Sequence, residues 1–323
     1  MKIAKSYGYL KKDLDIIEQS LNQVIQAEHT VLRKASTELL QAGGKRIRPV
    51  FVLLSGQIGN YNLERIKTAA VSLELIHMAT LVHDDVIDDA ELRRGKPTIK
   101  ESYGNRVAMY TGDYILARSL ENITKLKNPE VHRVLSRSIV EVCVGEIEQI
   151  KYKYNWDQNL RDYLRRIKRK TALLIATSCK LGAIVSGVSE SHANKLYLYG
   201  YYIGMSYQII DDILDFTSSS KELGKPAGND LLQGNLTLPV LYAMEDTEFN
   251  DLLRKTFQDP ENVSAADLTI LLDALKKTNG IEKSFKLSDY YLQKALAVLE
   301  DLPNTKAANS LRDIAKFIGK RRS

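Results

Sequence analysis

The sequence contains few cysteines, tryptophans and phenylalanines. Its 323 residues include two cysteines, one tryptophan and six phenylalanines. Cys143 and Cys179 have no paired spacing and lie in apolar segments, which predicts buried free thiols in a reducing compartment. Because Trp and Phe rings for base stacking are scarce and no nucleic-acid-binding signature is present, we expect no nucleic-acid partner.

Long apolar runs are also missing. The longest, from Thr171 to Gly187, is interrupted by Lys180 and small polar residues, which predicts a core helix rather than a membrane span. Residues 1–7 lack the apolar stretch of a signal peptide. The net charge of +6 suits nucleic acid, an anionic membrane or a phosphorylated substrate, and equally a solvated helical surface. We therefore expect a cytoplasmic protein whose membrane contact is at most peripheral.

Strand-like alternation of apolar and polar residues is absent. Apolar residues instead recur at helical spacing, and the seven prolines mostly fall where helices begin or end. The pattern predicts an all-α fold with a single domain over residues 1–323. The predicted helices cover 12–41, 47–59, 62–90, 99–126, 129–153, 158–187, 191–217, 230–246, 249–257, 264–278, 279–300 and 304–318.

Two clusters of aspartates interrupt otherwise apolar helices. They consist of Asp84, Asp85, Asp88 and Asp89, and of Asp211, Asp212 and Asp215. Residues four apart share a helical face, so the first aspartate of each cluster should lie beside one a turn later, and Asp85 beside Asp89. Crowded carboxylates at an apolar wall need a cation, and hard oxygen ligands suit Mg²⁺ completed by water and substrate phosphates. The two clusters together predict a magnesium–diphosphate clamp.

Three basic segments add possible anion contacts. They are Gly43–Pro49 (GGKRIRP), Arg93-Arg94-Gly95 and Lys168–Thr171 (KRKT). Gly43–Pro49 precedes a predicted helix start, where backbone N–H groups and arginine forks bind phosphate, although it is also typical of a helix-capping turn with surface cations. The arginine pair follows the first aspartate helix, where it suits either bidentate phosphate contacts or the ordinary positive charge of a helix C-terminus. Lys168–Thr171 begins a long apolar stretch. His77 is typical of a partly buried histidine, and His83 has no second His or Cys at the spacing of a zinc site.

The motifs occur in a recognisable order. They are GGKRIRP at 43–49, DDVIDD at 84–89, RRGKPT at 93–98, KTA at 170–172, QIIDDILDF at 208–216 and GKPAGNDLLQGNLTLP at 224–239. Over residues 38–241 the chain resembles the trans-isoprenyl diphosphate synthases. The resemblance implies an isoprenoid-synthase fold, with helices around a deep apolar cavity. It also implies head-to-tail condensation of isopentenyl diphosphate with an allylic diphosphate, for which farnesyl diphosphate is expected.

The resemblance assigns roles to three sets of residues. About three Mg²⁺ ions would be held by Asp84, Asp85, Asp88, Asp211, Asp212 and Asp215. Isopentenyl diphosphate would be bound by Lys45, Arg48, His77 and Arg94. The allylic diphosphate or its carbocation would meet Arg93, Lys170, Thr171, Gln208 and Lys225. Asn235 departs from the family, because many members carry lysine there, and Lys320–Arg322 resembles the basic tail that closes over the site in some members.

The helix face leading away from Asp84 is predicted to set the product length. Short-chain members often carry bulky aromatics four or five residues before the first aspartate, where this chain has the small residues Thr80 and Ala79. Ile76 lies one turn beyond Thr80 and would form the floor, roughly 12 Å from Asp84 at about 1.5 Å per residue. A medium or long prenyl product is expected.

Most of the chain is similar to the catalytic large subunits of two-component heptaprenyl diphosphate synthases. This similarity implies a heptaprenyl product for a menaquinone side chain and a heterodimer with a small, non-homologous subunit. Two alternatives are a class I terpene cyclase and a non-catalytic prenyl-diphosphate-binding subunit. A cyclase normally has an NSE-type second motif where this chain has DDILD, and a non-catalytic subunit typically loses an aspartate motif, whereas both are intact here.

Overall fold

The structure is a computed structural model that describes residues 3–218 and 227–321, with side chains from residue 6 onward. Its α-helices are α1 (Lys11–Val24), α2 (Thr30–Gln41), α3 (Ile47–Gly56), α4 (Leu63–Ile87), α5 (Ile99–Tyr103), α6 (Asn105–Ile123), α7 (Pro129–Lys151), α8 (Leu160–Ile167), α9 (Leu173–Val185), α10 (Glu190–Thr217), α11 (Asn229–Leu232), α12 (Leu238–Ala243), α13 (Thr247–Thr256), α14 (Ala265–Lys277), α15 (Gly280–Glu300) and α16 (Lys306–Gly319). A π-helical turn, Lys168–Ala172, joins α8 to α9, and 3₁₀ turns cover Ile3–Leu10 and Pro260–Asn262. The all-α prediction is confirmed, with one addition, an antiparallel pair of two-residue strands, β1 (Leu92–Arg93) and β2 (Lys96–Pro97).

Three predicted helices are divided in the structure, and the predicted helix 230–246 is one of them, since it forms α11 and α12. The predicted helix 12–41 breaks between α1 and α2, where the sequence contains neither proline nor glycine. Side chains of α6 donate hydrogen bonds to backbone carbonyls at this break. Arg118 Nε donates to Val24 O at 2.7 Å, and Tyr114 Oη donates to Gln26 O at 2.6 Å. The predicted helix 99–126 breaks at Gly104, whose φ of +83° favours glycine.

The chain forms two compact units by its internal contacts. The first comprises Met1–Ile139, Leu174–Tyr197 and Asp301–Leu311, and the second comprises Val140–Leu173, Leu198–Glu300 and Arg312–Ser323. The single-domain description stays a prediction.

The first unit is built around α4, which packs on α6, α3 and α1. Most of α4 between Ile66 and Val82 is buried, so its apolar surface extends around the helix, as expected for a central helix. Polar side chains of α6 also bind α4, since Asn122 Nδ2 donates to Thr68 O at 3.1 Å and Ser119 Oγ donates to Ser72 O at 2.9 Å. These bonds fix the helix that carries the first aspartate motif.

The second unit has an aromatic and aliphatic core. Trp156, Phe216, Phe249 and Phe257 are buried in it together with leucines of α11, α13 and α14. Phe216 follows the second aspartate motif directly, so core packing anchors the end of α10.

Both cysteines are free, but only one is buried. Burial raises the pKa of the Cys179 thiol to about 12. Cys143 is exposed on α7, so the prediction that it is buried was wrong. That prediction rested on the apolar residues next to Cys143 in the sequence, and several of these residues are exposed as well. Along residues 3–218 and 227–321, no helix has the length and hydropathy needed to cross a membrane.

Candidate active site

The first aspartate motif lies at the C-terminal end of α4. Asp84 and Asp85 occupy its last turn, and Asp88 caps it, with its backbone N–H donating to Asp84 O at 2.8 Å. Asp89 has a φ of +51° and its carboxylate pairs with Lys100. The expectation that Asp85 stacks on Asp89 is therefore wrong, because the helix ends at Ile87, before Asp89.

Arg93 binds one carboxylate of this motif. Its Nε lies 2.8 and 2.9 Å from the two oxygens of Asp85, and its Nη2 lies 2.6 Å from Oδ1. Asp85 is buried, at 3% exposure, and a buried carboxylate needs such a partner. Asp84 and Asp88 are half-buried and border the solvent.

The β1–β2 hairpin places Arg94 in a tight turn. Arg94 and Gly95 both have positive φ, +55° and +75°, as in a two-residue type I′ turn. The positive φ is unfavourable for arginine and holds its guanidinium against the segment 43–49. A Cβ added to Gly44 would lie 2.8 Å from Arg94 Nη1, so the guanidinium of Arg94 lies close to the backbone of this segment.

Arg46 has a different role from its neighbours in the GGKRIRP segment. Its guanidinium binds both oxygens of Glu18 at 2.8 Å, lies 3.1 Å from Glu74 Oε1 and donates to Leu40 O at 3.2 Å. Arg46 also has a positive φ, +46°, immediately before α3. It therefore ties the segment to α1, α2 and α4 rather than facing an anion, and sequence patterns alone did not distinguish it from Lys45 and Arg48.

His77 lies among the guanidinium groups of this region. Its desolvation, followed by the charges of Arg48, Arg94, Arg93 and Arg46, holds its pKa well below the ordinary value, so the imidazole is neutral. A cluster of arginines beside a neutral hydrogen-bonding group suits an anion with several acceptor oxygens. The structure thus places His77, Arg48 and Arg94 close to one another, and Lys45 is exposed nearby in the chain. Their binding of isopentenyl diphosphate stays a prediction.

The second aspartate motif lies near the C-terminal end of α10. Asp212 and Asp215 are buried, and Asp211 is exposed. Asp212 Oδ1 accepts from Gln208 Nε2 at 2.8 Å, and Gln208 Oε1 accepts from Thr171 Oγ1 at 2.5 Å. Asp215 Oδ2 accepts from the Asp230 N–H at 3.3 Å, at the start of α11.

The π-helical turn carries Lys170 and Thr171. Such turns, inserted into longer helices, often occur at functional sites because they alter the direction of side chains. Lys170 Nζ donates to Gln149 Oε1 at 3.0 Å, and Thr171 is linked through Gln208 to Asp212. A polar cavity of about 70 Å³ is lined by Lys170, Gln208, Asp212, Asp230 and Asn235, among others.

The remaining predicted positions are Lys225, Asn235 and the basic C-terminal segment. Arg321 lies 3.9 Å from Asp211 Oδ1 and 5.3 Å from the ring centre of Tyr207, so the basic C-terminal segment reaches the motif. Asn235 lines the polar cavity. Lys225 and Arg322 lie outside the described residues.

Burial raises the pKa of Asp212 to about 7, and the nearby carboxylate of Asp230 adds to the rise. The unfolded chain loses this proton near pH 3.8, so the free energy of unfolding falls as the pH rises from about 4 to about 7. We expect Asp212→Asn to raise the melting temperature in EDTA at pH 8 by at least about 3 °C, with a gain that shrinks toward pH 4. Thermal unfolding followed by circular dichroism measures this, with exposed Asp273→Asn as control. Equal melting temperatures at pH 8 would contradict the buried charge.

Both motifs fit a hard divalent cation. Each lies at the C-terminal end of a long helix, where the helix dipole adds negative potential to the carboxylates. Among the residues that the structure describes, no group of three or more His, Cys, Asp or Glu side chains converges into a complete ligand set. Carboxylate oxygens are hard ligands of the kind that Mg²⁺ prefers, so the donor chemistry of the two motifs suits this ion.

Known proteins match both the sequence and the fold. Two relatives are named heptaprenyl diphosphate synthase component 2. The one from Bacillus subtilis (strain 168) is 59% identical, with the match covering 100% of this chain and 92% of the relative. The one from Geobacillus stearothermophilus is 57% identical over 99% of both chains. A heptaprenyl diphosphate synthase structure from Staphylococcus aureus matches with a TM-score of 0.92 and 42% identity, covering 97% of this chain and 99% of that one.

A polyprenyl synthase from Caulobacter crescentus CB15, solved with calcium and isoprenyl diphosphate, matches with a TM-score of 0.93 and 26% identity, over 100% of this chain and 98% of that one. An all-α fold with two aspartate motifs beside arginine clusters therefore defines an isoprenyl diphosphate synthase. The polyprenyl synthetase family matches residues 29–271, and the chain belongs to that family. This membership favours the synthase over the terpene cyclase considered from the sequence.

Proposed function

We propose that the chain elongates an allylic diphosphate, farnesyl diphosphate, with isopentenyl diphosphate to heptaprenyl diphosphate, the precursor of a menaquinone side chain. The observation that carries the proposal is the 59% identity over the whole chain to a heptaprenyl diphosphate synthase component. Both intact aspartate motifs and the arginine cluster support a catalytic rather than a purely binding role. A cytoplasmic location and peripheral membrane release belong to the proposal and rest on the sequence.

The residues divide into two binding sets. Isopentenyl diphosphate is bound in the first unit by Lys45, Arg48, His77 and Arg94. The aspartates of both motifs would hold Mg²⁺, about three ions, for the allylic diphosphate. Further contacts with the allylic substrate come from Arg93, Lys170, Thr171, Gln208 and Lys225.

The chemistry follows from charge. The aspartates of the two motifs would hold Mg²⁺, which would supply positive charge against the negative charge of the departing diphosphate. Arg48 and Arg94 hold the second diphosphate by charge-assisted hydrogen bonds, and neutral His77 adds a hydrogen bond without repelling the guanidiniums. The oxygens of Thr171 and Gln208 face the allylic carbocation, which the alkene of isopentenyl diphosphate attacks. The released diphosphate accepts the proton, so no protein base is required.

Ile76 is proposed as the floor of the chain-length path. It is 2% exposed, as is Ala79, and Thr80 Oγ1 donates to His77 O at 2.8 Å, which turns this hydroxyl toward the helix backbone. We expect Ile76→Gly to lengthen the product by at least one isoprene unit and Thr80→Phe to shorten it. Chromatography of labelled products measures both. An unchanged product distribution in both variants, at normal folding, would contradict the floor.

The name component 2 of the relatives implies a partner component, and we propose a small, non-homologous subunit that forms a heterodimer with this chain. An exposed apolar face of α7 supports this proposal. It consists of Val140, Cys143, Val144, Ile147 and Ile150, at the three- and four-residue spacing of one helical face. Ile147 is 69% exposed, and contiguous apolar surface of this kind marks interaction sites.

A charge on this face should prevent the partner from binding. We expect Ile147→Asp to lose co-purification with the partner component, because a carboxylate at the centre of an apolar interface is costly to desolvate. Ile270→Asp is the matched control, since Ile270 is 57% exposed on another helix, α14. Co-purification measured by size-exclusion chromatography distinguishes them. Equal retention of the partner by both variants would place its binding surface elsewhere.

The proposed function is tested by incubating the chain with Mg²⁺, farnesyl diphosphate and labelled isopentenyl diphosphate, with and without the partner component. Incorporation of label into a heptaprenyl product in either arm supports the synthase. Products from farnesyl diphosphate that do not need isopentenyl diphosphate would indicate a cyclase. Folded protein that binds substrate but gives no product in either arm would indicate a non-catalytic subunit.

A further inference from the structure

Helix α8 presents two buried polar side chains to the second aspartate motif. Asn159 caps the start of the helix: its side chain accepts from the N–H groups of Arg161 and Asp162, and Asp162 Oδ2 accepts from the Asn159 N–H. This capping box fixes the first turn of the helix. Tyr163 and Arg166, three residues apart on one face, are 1% and 8% exposed.

Tyr163 binds the oxygen of Asp212 that Gln208 leaves accessible. Its Oη donates to Asp212 Oδ2 at 2.8 Å, while Gln208 Nε2 donates to Oδ1 at 2.8 Å. The two bonds, one on each oxygen, fix the rotation of the carboxylate. A carboxylate has about four lone-pair sites, so both oxygens retain a site for a metal.

Arg166 holds the surroundings of this tyrosine. Its Nη1 donates to Gln158 Oε1 at 2.6 Å, its Nη2 donates to Leu236 O, and its guanidinium lies 5.6 Å from the ring centre of Tyr163. The bond to Leu236 O fixes the backbone directly after Asn235. Arg166 also lines the polar cavity that contains Asp212 and Lys170.

We propose that Tyr163 and Arg166 are positioning residues that hold Asp212 in the orientation it needs to bind Mg²⁺ with a diphosphate. This role rests on the proposed function, and neither Tyr163 nor Arg166 belongs to the sequence motifs. Side chains that orient a metal ligand commonly change metal affinity about 10- to 100-fold when removed.

Tyr163→Phe tests the inference because it removes one hydroxyl and keeps the buried ring. We expect the Mg²⁺ dissociation constant, measured by isothermal titration calorimetry with inorganic diphosphate, to rise about tenfold. The Mg²⁺ concentration for half-maximal elongation should rise equally, and kcat at saturating Mg²⁺ should largely recover. Tyr110→Phe is the control, since Tyr110 is 70% exposed and lies in the other unit.

Arg166→Lys keeps the charge and loses the planar fork that joins Gln158 to Leu236. We expect it to weaken Mg²⁺–diphosphate binding as well, whereas the neighbouring exposed Arg165→Lys should leave binding unchanged. Wild-type affinity in both Tyr163→Phe and Arg166→Lys would overturn the positioning role and leave the proposed function intact. Failure of the wild-type chain to bind Mg²⁺ and diphosphate would overturn both.

Discussion

Replacing Asp84 by asparagine is expected to lower kcat for isopentenyl diphosphate incorporation about a thousandfold. The loss corresponds to about 4 kcal/mol of transition-state stabilisation, the order of magnitude supplied by one strong electrostatic contact in a water-excluded site. Asp84 is the suitable position because it is half-buried at the end of α4. Asp85, in contrast, is buried against Arg93, so its substitution would also disturb the β1–β2 hairpin.

The Asp84→Asn variant should lose a metal ligand without losing its fold. Asparagine preserves the shape of the side chain, and the surface position should change the melting temperature by less than about 2 °C. Glu91→Gln is a matched control, an exposed acidic residue just beyond the motif. Rates are measured with labelled isopentenyl diphosphate at saturating Mg²⁺. A loss below about tenfold would mean that Asp84 does not contact the metal in the transition state.

The long helices were predictable because their signals are local. Helices α4 and α10 follow the predicted segments 62–90 and 191–217 closely, since apolar residues recur at helical spacing along both of them. The break after α1 was not predictable, because it depends on Arg118 and Tyr114, about 90 residues away in sequence. The break within the predicted helix 99–126 had a local signal, Gly104, but the helical pattern continues on both sides of this glycine, and the break was therefore not predicted.

The candidate site divides in the same way. Its aspartates and arginines are recognisable because their spacing along the chain is enough to indicate metal and phosphate binding. The sequence did not reveal that Arg46 stabilises the fold, because this role depends on partners on other helices, Glu18 and Glu74. Tyr163 was missed for the same reason, since its hydroxyl meets Asp212 49 residues later. Long-range polar pairing therefore accounts for most of what the sequence did not reveal.

Replacing Arg94 by asparagine should raise KM for isopentenyl diphosphate about 30- to 100-fold. Hydrogen bonds to a charged partner contribute about 1.5–3 kcal/mol, and the exposed guanidinium of Arg94 adjoins Gly44 in the arginine cluster. Since the role proposed for Arg94 is binding one substrate, KM for farnesyl diphosphate should change less than about threefold. Steady-state kinetics with each substrate varied in turn measures both constants.

The turn makes this substitution unusually informative. Arg94 has a positive φ, which arginine adopts at a cost, and Asn-Gly is a preferred sequence for a type I′ turn. Arg94→Asn should therefore preserve or raise the melting temperature while it weakens substrate binding, a combination that a misfolded hairpin cannot produce. Arg94→Lys keeps the charge without the fork and should give an intermediate KM. An unchanged KM in a stabilised Arg94→Asn protein would show that the guanidinium does not contact isopentenyl diphosphate, and Arg48 and His77 would then have to bind it without Arg94.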